Sequence, residues 1–310
     1  MTETLATVFG LDLRADQELA FLQASRAVPT GRPIELSLDP AGEPHWPSSA
    51  ELISDQRLPD GSVNFRIERH PQAGYRIWGP PYGVHLLSVN GDKLWGSPGE
   101  ASLAAWQRLL IAQALPFAAV LQGLEVLHAS AIAVGGGAVA FAGPSGSGKT
   151  SLALALCRGG GEFLSDDVLA LESGDELIAH PGAPVAGVDR AEAERLRAAG
   201  VSIGETLSAD ERETVERVVV RAEPAPLRAV FLLERRADGP AEPRFESAPG
   251  AQALLASTFN LVLADPERLA RLLDVCAIAA RGTVERVVVG PGVDATELGA
   301  AVARRISELP

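Results

Sequence analysis

The stretch that decides the fold of this 310-residue chain is Gly143-Pro144-Ser145-Gly146-Ser147-Gly148-Lys149-Thr150. It matches the Walker A pattern G-x-x-x-x-G-K-[ST], whose glycines leave backbone N–H groups free to point at phosphate oxygens. The chain has only two lysines, and one of them, Lys149, lies in this pattern, where a compact ammonium can reach a β- or γ-phosphate oxygen. The stretch therefore predicts ATP bound by residues 143–150 and by the following Ser151.

Apolar residues on both sides of this loop predict a strand before it and a helix after it. Residues 138–142 read Ala-Val-Ala-Phe-Ala, as in a buried strand, and residues 150–156 read Thr-Ser-Leu-Ala-Leu-Ala-Leu, as in a helix. The N-terminus of that helix adds partial positive charge where a phosphate would bind. A glycine-rich turn without a ligand is the alternative, and the order strand, loop, helix argues against it.

Two adjacent carboxylates, Asp166 and Asp167, follow the short apolar segment Phe163-Leu164-Ser165. A solvated turn is the plain explanation for such a pair. In phosphate-loop proteins, however, an acid at the end of the next strand binds Mg²⁺ together with the hydroxyl of the loop. Neighbouring carboxylates also push their pKa values apart, which suits one metal ligand and one base. We therefore expect Thr150 and Asp166 to bind Mg²⁺ and Asp167 to accept a proton from a substrate hydroxyl.

His128 stands alone in the apolar run Leu127–Val134, which predicts a single strand. A lone histidine in such a strand is more often a core residue with satisfied hydrogen bonds than a catalytic group. The residues alone therefore leave the role of His128 open.

Charge and composition exclude several classes of partner. The net charge of −13 argues against nucleic acid or an anionic membrane surface. Cys157 and Cys276 lack the spacing of a zinc site, and isolated thiols are typical of a reducing cytoplasm. No basic and apolar signal segment opens the sequence. The stretch that comes nearest to a membrane span, 109–126, contains four residues unsuited to a membrane core: Gln113, Pro116, Gln122 and Glu125. We therefore expect a cytoplasmic protein.

The distribution of aromatic residues predicts two domains. All four tryptophans and both tyrosines lie before residue 107. We place a β-rich domain of unknown role at residues 1–98 and the catalytic domain at residues 99–310. The second domain would begin with a helix over 99–123 that breaks at Pro116.

Alternation of apolar and polar residues predicts the strands of the first domain at 63–67, 75–78 and 84–89. Asn90-Gly91 then predicts a two-residue hairpin turn. Lys93, just after that turn, is expected to be exposed and without a chemical role.

The last third of the chain alternates helices and strands. Helices are predicted to start at Asp189, Asp265 and Asp294, each an N-cap residue type. Strands are predicted at 215–221, 229–233 and 284–289. Glycines end two of the helices, Gly200 the first and Gly282 the second.

Three segments together resemble the catalytic domain of bacterial HPr kinase/phosphorylase. They are Leu127-His128-Ala129-Ser130-Ala131, the phosphate loop, and Leu164-Ser165-Asp166-Asp167-Val168. The spacing is specific, because His128 lies 21 residues before Lys149 and Asp167 lies 18 residues after it, as in that family. The likeness covers residues 125–172 well and residues 215–305 by the order of elements.

The resemblance implies an α/β fold with a mixed sheet, a P-loop kinase core related to phosphoenolpyruvate carboxykinase. It implies that His128 is an active-site residue, that Lys149 and Thr150 bind nucleotide and Mg²⁺, and that Asp167 accepts the proton of a substrate serine. It also implies assembly into a homo-oligomer, since the related kinases form oligomers.

Two family segments are missing, and their absence narrows the prediction. The family carries a Leu-Glu-Ile-Arg-Gly-Leu-Gly run whose glutamate helps to bind metal, whereas residues 179–185 stand in its place here. The proline- and arginine-rich segment linked to dephosphorylation is replaced by residues 224–228. We therefore expect a kinase without the phosphorylase reaction and with a substrate other than HPr. The chain is more similar to divergent HPr-kinase-like proteins, some of which are encoded with peptide-modification systems.

The sequence thus predicts an ATP- and Mg²⁺-dependent kinase that phosphorylates a serine-type hydroxyl of a small protein or peptide, with a precursor peptide as one candidate. A kinase of a small-molecule alcohol on the same site is the first alternative. A nucleotide-dependent binding protein with little turnover is the second, and the missing metal-binding glutamate favours it.

Overall fold

A computed structural model of the chain describes residues 4–23, 25, 28–39, 42, 44–210, 213–248, 250–259 and 265–309. The chain divides into two compact units, Met1–Leu124 and Glu125–Pro310. The boundary expected after residue 98 therefore differs from the one observed. The physical reason is Trp106, which is fully buried against the first unit: its indole N–H donates to the Val84 carbonyl at 3.0 Å. A Cβ on Gly96 would lie 2.2 Å from the Trp106 ring, so that glycine makes room for it.

The first unit is built on one eight-stranded mixed sheet. Its strand order is β1-β2-β3-β8-β7-β6-β5-β4, in which β2 and β8 both run parallel to β3 and the remaining neighbours are antiparallel. A 3₁₀ turn spans Ala20–Leu22. The strands are β1 (Thr4–Val8), β2 (Leu11–Ala15), β3 (Pro33–Leu38), β4 (Glu51–Arg57), β5 (Val63–His70), β6 (Gly74–Gly79), β7 (Gly83–Leu87) and β8 (Lys93–Ser97).

The connection between β7 and β8 is longer than the expected two-residue turn. Gly91 does adopt the left-handed conformation, with φ of +71°, but residues 88–92 all lie outside the strands. The Ser88 hydroxyl shapes this longer loop by accepting hydrogen bonds from the N–H groups of Asp92 and Lys93, each at 3.1 Å. Lys93 is exposed, as expected.

The helix that follows does not break at Pro116. It consists of α1 (Leu103–Leu109), a π-helical turn (Leu110–Ala114) and α2 (Leu115–Leu121). Pro116 falls in the first turn of α2, where its missing N–H does least harm, and the π turn before it absorbs the register change. Among the described residues this is the one helix long and apolar enough to cross a membrane, and 61% of its most apolar stretch is buried inside the protein.

The second unit is mixed α/β. Its main sheet follows the order β12-β10-β11-β18-β14-β13-β9, and β20 pairs with β18 and with β19. The third sheet of the chain has the order β15-β17-β16. The strands are β9 (Glu125–Leu127), β10 (Ala129–Val134), β11 (Gly137–Ala142), β12 (Glu162–Ser165), β13 (Leu169–Ser173), β14 (Leu177–Ala179), β15 (Val185–Asp189), β16 (Thr206–Ala209), β17 (Glu213–Arg217), β18 (Ala225–Arg235), β19 (Arg244–Ser247) and β20 (Thr283–Val289).

Three helices of this unit begin where N-cap residues were expected. Asp189 and Asp294 each accept hydrogen bonds from two backbone N–H groups of the first turn, and Asp265 accepts one from Arg268. Asp294 also completes a capping box with Glu297. Gly200 follows the first of these helices in the left-handed conformation, with φ of +79°. The helices are α3 (Lys149–Cys157), α4 (Arg190–Ala198), α5 (Gly250–Leu255), α6 (Pro266–Ala279) and α7 (Ala295–Ser307).

The central strands are buried on both faces, and their sequence shows how. Along β11 the large residues Val139 and Phe141 point into a core shared with α3 and α7, while the alanines between them point into a second core. Strand β10 repeats the pattern, with Ile132 on the first side and alanines on the other. Small residues on one face let a second layer pack closely, so the Ala-Val-Ala-Phe-Ala segment is a central strand rather than a half-exposed one.

The single strand expected over 127–134 is in fact two. Strand β9 ends at Leu127 and pairs with β13, whereas β10 begins at Ala129 and pairs with β11 and β12. His128 is the residue at which the chain crosses from one part of the sheet to the other. Its backbone N–H donates to the Ser257 carbonyl at 2.6 Å, as part of an isolated antiparallel bridge between Leu127 and Thr258.

Two other strands have bounds that differ from the prediction, and in both cases the pairing partners explain the difference. The strand expected at 229–233 is longer, because β18 pairs with β11, β20 and β14 along its length. The strand expected at 215–221 is shorter, because β17 has partners only up to Arg217.

Candidate functional site

Residues 143–148 form the loop between β11 and α3, and its glycines are required by the backbone. Gly146 and Gly148 have φ of +77° and +95°. Gly143 has φ of +146°, and a Cβ there would lie 2.5 Å from the Leu233 carbonyl oxygen. Gly148 is the N-cap residue of α3, so the loop leads directly into a helix N-terminus. This is the local geometry that leaves unpaired backbone N–H groups for an anion.

Ser147 carries a polar atom that lacks a partner inside the loop. The residue is 3% exposed, and its Oγ is buried with no hydrogen bond. A buried hydroxyl left unpaired costs about 1–3 kcal/mol. A ligand with acceptor oxygens in the loop would remove that cost.

Lys149 folds back over the loop it belongs to. Its Nζ donates to the carbonyl oxygens of Gly143 at 3.0 Å and Pro144 at 3.3 Å, and the residue is 7% exposed. Burial lowers the pKa of Lys149, while the nearby carboxylates of Asp167 and Asp166 act to raise it. The ammonium therefore lies among the loop carbonyls and close to the acid pair.

Asp166 collects hydrogen bonds from three separate elements. Its Oδ1 accepts from the hydroxyls of Thr150 and Ser130, both at 2.7 Å, and its Oδ2 accepts from the Gly187 N–H at 2.9 Å. Burial raises the pKa of Asp166 to about 6, repulsion from Asp167 adds to the rise, and the three hydrogen bonds oppose it. The carboxylate therefore joins β10, α3 and β15 at one point.

The side chain of Asp167 is exposed, in contrast to the carboxylate of Asp166. Its backbone has φ of +60°, unusual for a residue other than glycine, and the Val168 N–H donates to the Asp166 carbonyl at 2.6 Å across the turn. Such strain costs about 1–3 kcal/mol and is found mostly at functional sites. The side chain is 57% exposed, and its Oδ1 lies 3.2 Å from His128 Nδ1, which also lies 3.0 Å from the Asp167 carbonyl oxygen.

The residues singled out in the sequence thus come together in the second unit. Lys149 and Thr150 begin α3, the acid pair follows β12, and His128 lies beside Asp167 at the crossover. The two neighbouring carboxylates have opposite environments, one enclosed by donors and one open to solvent. The site can therefore hold an oxygen-binding cation on one acid and present the other to a substrate.

Two residues of this site were missed in the sequence. Ser130 is fully buried, and its signal was a hydroxyl in an otherwise apolar strand. Gly187 acts through its backbone N–H, which leaves no signal in the residue type.

A buried ion pair supports the strand that ends at His128. The fully buried Glu125 of β9 lies 3.1 Å from Arg271 and 3.5 Å from Arg268 of α6. Arg268 also donates to the Phe259 carbonyl at 2.9 Å, and the Phe259 N–H donates to Val126 at 2.9 Å. Residues 257–259 therefore run alongside β9 and connect α6 to the crossover.

The donor set of the site fits Mg²⁺. Thr150 and Asp166 offer a hydroxyl and a carboxylate within 2.7 Å of each other, and both are oxygen ligands. In the described part of the chain, no group of three or more His, Cys, Asp or Glu side chains could hold a metal ion. Mg²⁺ is commonly held by one or two protein oxygens together with substrate phosphates and water. The two protein oxygens thus fit Mg²⁺ together with further ligands supplied from outside the protein.

Comparison with known proteins adds little to this geometry. No family model matches the chain, and no curated protein matches it. Among solved structures, the Hpr(Ser) kinase/phosphatase from Coxiella burnetii matches with 14% sequence identity and a TM-score of 0.30. That match covers 59% of this chain and 94% of the other. A likeness at this TM-score carries no argument about the fold or the site.

Proposed function

We propose that this protein is an ATP-dependent kinase that transfers the γ-phosphate to a serine-type hydroxyl of a small protein or peptide. The observation that carries the proposal is the hydrogen bond between Thr150 and Asp166 at the start of α3, next to the buried ammonium of Lys149. A hydroxyl, a carboxylate and an ammonium around a glycine loop are the parts that phosphoryl transfer uses.

In this proposal the loop 143–148 is a P-loop. Its backbone N–H groups and the N-terminus of α3 bind the phosphates, and the unpaired Ser147 hydroxyl donates to one of their oxygens. Lys149 exchanges its two loop carbonyls for β- and γ-phosphate oxygens. Mg²⁺, held by Thr150 and Asp166, would neutralise part of the phosphate charge.

Asp167 is the proposed base. The substrate hydroxyl oxygen attacks the γ-phosphorus, the bond from that phosphorus to the β,γ-bridging oxygen breaks, and ADP leaves. The hydroxyl proton passes to the Asp167 carboxylate, which His128 holds in place from 3.2 Å. Positioning and electrostatics supply most of the rate in such a step, so the strained turn at Asp167 serves to aim the carboxylate.

The exposure of Asp167 favours a peptide or protein as the acceptor over a small-molecule alcohol. A base whose side chain is 57% exposed can receive a hydroxyl that projects from a larger molecule. An enzyme for a small alcohol would enclose its base to exclude water. The missing proline- and arginine-rich segment supports a kinase without the phosphorylase reaction.

Two further parts of the proposal concern the setting of the protein. The two free cysteines, Cys157 and Cys276, fit a reducing cytoplasm, and burial raises the pKa of their thiols to about 12 and about 11. The suggested homo-oligomer rests only on the resemblance to HPr kinases and is tested by the mass of the protein in solution.

The proposal is tested by a mass-spectrometric search for phosphorylated products. The protein is incubated with ATP, Mg²⁺ and fractionated host extract, and a parallel sample contains the Lys149→Ala variant. We expect new phosphoserine in a peptide or protein only with the wild type. A phosphorylated small molecule would favour the alcohol kinase, and tight ATP binding without any product would favour the binding protein.

A further inference from the structure

Arg235 lies at the phosphate loop but belongs to no motif identified in the sequence. It is the last residue of β18, which runs parallel to both β11 and β20. Parallel strands end at the same edge of a sheet, so β18 delivers Arg235 beside the loop that follows β11. The side chain is half-buried there.

The guanidinium of Arg235 connects two loops at this edge. Its Nε donates to the Ser147 carbonyl oxygen at 3.2 Å. Its Nη1 donates to the carbonyl oxygens of Gly290 at 3.3 Å and Val293 at 2.9 Å, in the turn between β20 and α7. Only a planar fork with several fixed donors can hold both loops at once, and a lysine ammonium lacks that geometry.

The contact with Ser147 orients the next backbone N–H. The Ser147 carbonyl and the Gly148 N–H belong to one planar trans peptide, so they point in opposite directions. Because Arg235 holds the carbonyl on its own side, the N–H of Gly148 is turned to the other side of the loop. No described residue accepts a hydrogen bond from that N–H.

Gly148 could not hold this orientation by itself. With φ of +95° it lies in a region that glycine enters and leaves freely. The guanidinium also lies close beside it, since a Cβ on Gly148 would be 3.5 Å from Arg235 Nη2. Arg235 therefore restricts a glycine of the loop just before the helix begins.

We propose that Arg235 is a positioning residue for the triphosphate: it holds the peptide between Ser147 and Gly148 so that the Gly148 N–H faces the phosphates. This inference rests on the proposed function, because it needs a nucleotide in the loop. Arg235 acts through the backbone and need not contact the phosphates.

The test compares Arg235→Gln with Arg235→Lys and uses Arg236→Gln as the matched control. Arg236 is the next residue, is 42% exposed and pairs with Glu234 on the surface. The dissociation constant of a fluorescent ATP analogue is measured with Mg²⁺, together with the melting temperature of each variant. We expect Arg235→Gln to weaken binding about tenfold, since the loop loses the half-buried hydrogen bond that fixes the Ser147 carbonyl and so orients the Gly148 N–H.

The control and the conservative variant separate positioning from simple support. Arg236→Gln should bind within about twofold of the wild type, as expected for a surface pair. Arg235→Lys should weaken binding about threefold, because an ammonium can serve one loop but not both. If Arg235 only supported the turn at 290–293, its variants would lower the melting temperature and leave the dissociation constant unchanged, which would overturn the inference.

The remaining outcomes are also decisive. If Arg235→Gln does not fold, Arg235→Lys decides alone, and unchanged binding by that variant contradicts the proposal. A wild type that binds no nucleotide removes the proposed function and this inference with it. A wild type that binds nucleotide as tightly as its folded Arg235 variants removes the inference only.

Discussion

Two histidines in two apolar segments show how the two units of this protein use polar residues differently. His85 in β7 of the first unit is fully buried and stacks on Trp106, with ring centroids 4.6 Å apart. Burial lowers the pKa of His85 to about 3, so it stays neutral and acts as a core residue. His128 in the second unit has a side chain 38% exposed and lies against Asp167. The residue type is the same, and the position within a strand or at a strand end decides whether the side chain lies in the core or is exposed beside Asp167.

The same contrast extends to charged residues. On the first unit, Arg66 and Arg76 lie over the Trp78 ring at 5.7 and 4.6 Å and pair with carboxylates beside them. In such pairs each arginine charge is balanced by a neighbouring carboxylate. In the second unit the charges of Asp166 and Asp167 act on the pKa of Lys149, beside a loop whose Ser147 hydroxyl has no hydrogen bond. Substitutions should therefore change stability in the first unit and binding or transfer in the second.

The two lysines give the largest expected difference. Lys149→Ala should abolish phosphoryl transfer and weaken ATP binding by about a hundredfold, because a buried charge partner of the phosphates is lost. Lys93→Ala, at an exposed position in the first unit, should change neither quantity. Titration with a fluorescent ATP analogue measures both variants. Equal effects of the two substitutions would show that the comparison between the units is wrong.

The two histidines should separate stability from activity. His85→Ala leaves a cavity against Trp106 and should reduce the free energy of unfolding by about 2–4 kcal/mol. His128→Ala removes a half-buried side chain and should reduce it by less than about 1 kcal/mol, while transfer falls by about tenfold or more. Urea denaturation and initial rates are measured on both variants. A reversed pattern would place the active site elsewhere.

Asp166 should stabilise less as the pH rises. Its folded pKa of about 6 lies above its ordinary value of 3.8, so its contribution is fully present below about pH 4 and is lost as the pH rises through about 6. Asp166→Asn cannot ionise. In EDTA at pH 8 the variant should therefore be more stable than the wild type by up to about 3 kcal/mol, with the gain vanishing near pH 4.

Urea denaturation across this pH range measures the effect. The same variant should lose Mg²⁺-dependent transfer, because the carboxylate that destabilises the folded protein is the proposed ligand of Mg²⁺. A variant less stable than the wild type at pH 8 would mean that the hydrogen bonds to Asp166 outweigh the burial of its charge.

Ser130 should give the smallest effect. Its hydroxyl lowers the pKa of Asp166, so Ser130→Ala should raise that pKa further and hold back a proton that Mg²⁺ must displace. Near pH 6.5 the variant should need about threefold more Mg²⁺ for half-maximal nucleotide binding, and near pH 9 the difference should disappear. A difference that persists unchanged at pH 9 would mean that Ser130 acts on the cation in another way.

The secondary structure around the loop was largely predictable from sequence, because it is determined by neighbouring residues. The strand, glycine loop and helix are contiguous, and the turn at Asp167 needs only the residues beside it. Even the N-caps at Asp189, Asp265 and Asp294 follow from neighbours three residues apart.

The predictions that differ from the structure depended on residues far apart in the chain. The first unit extends beyond the predicted boundary because Trp106 fills the space over Gly96. Pro116 is tolerated within the helix because a π turn precedes it. The crossover at His128 depends on the carbonyl of Ser257. The roles of Gly187 and Arg235 lie in backbone groups or in loops of other strands, which residue type and spacing do not record.

The most direct test of this account is the separation of binding from transfer at the acid pair. Asp167→Asn is compared with the wild type using ATP labelled in the γ-phosphate and fractionated host extract, and ATP binding is titrated in parallel. We predict an unchanged dissociation constant for ATP and a loss of labelled phosphoserine by about a hundredfold or more. Transfer at the wild-type rate by Asp167→Asn would contradict the assignment of Asp167 as the base.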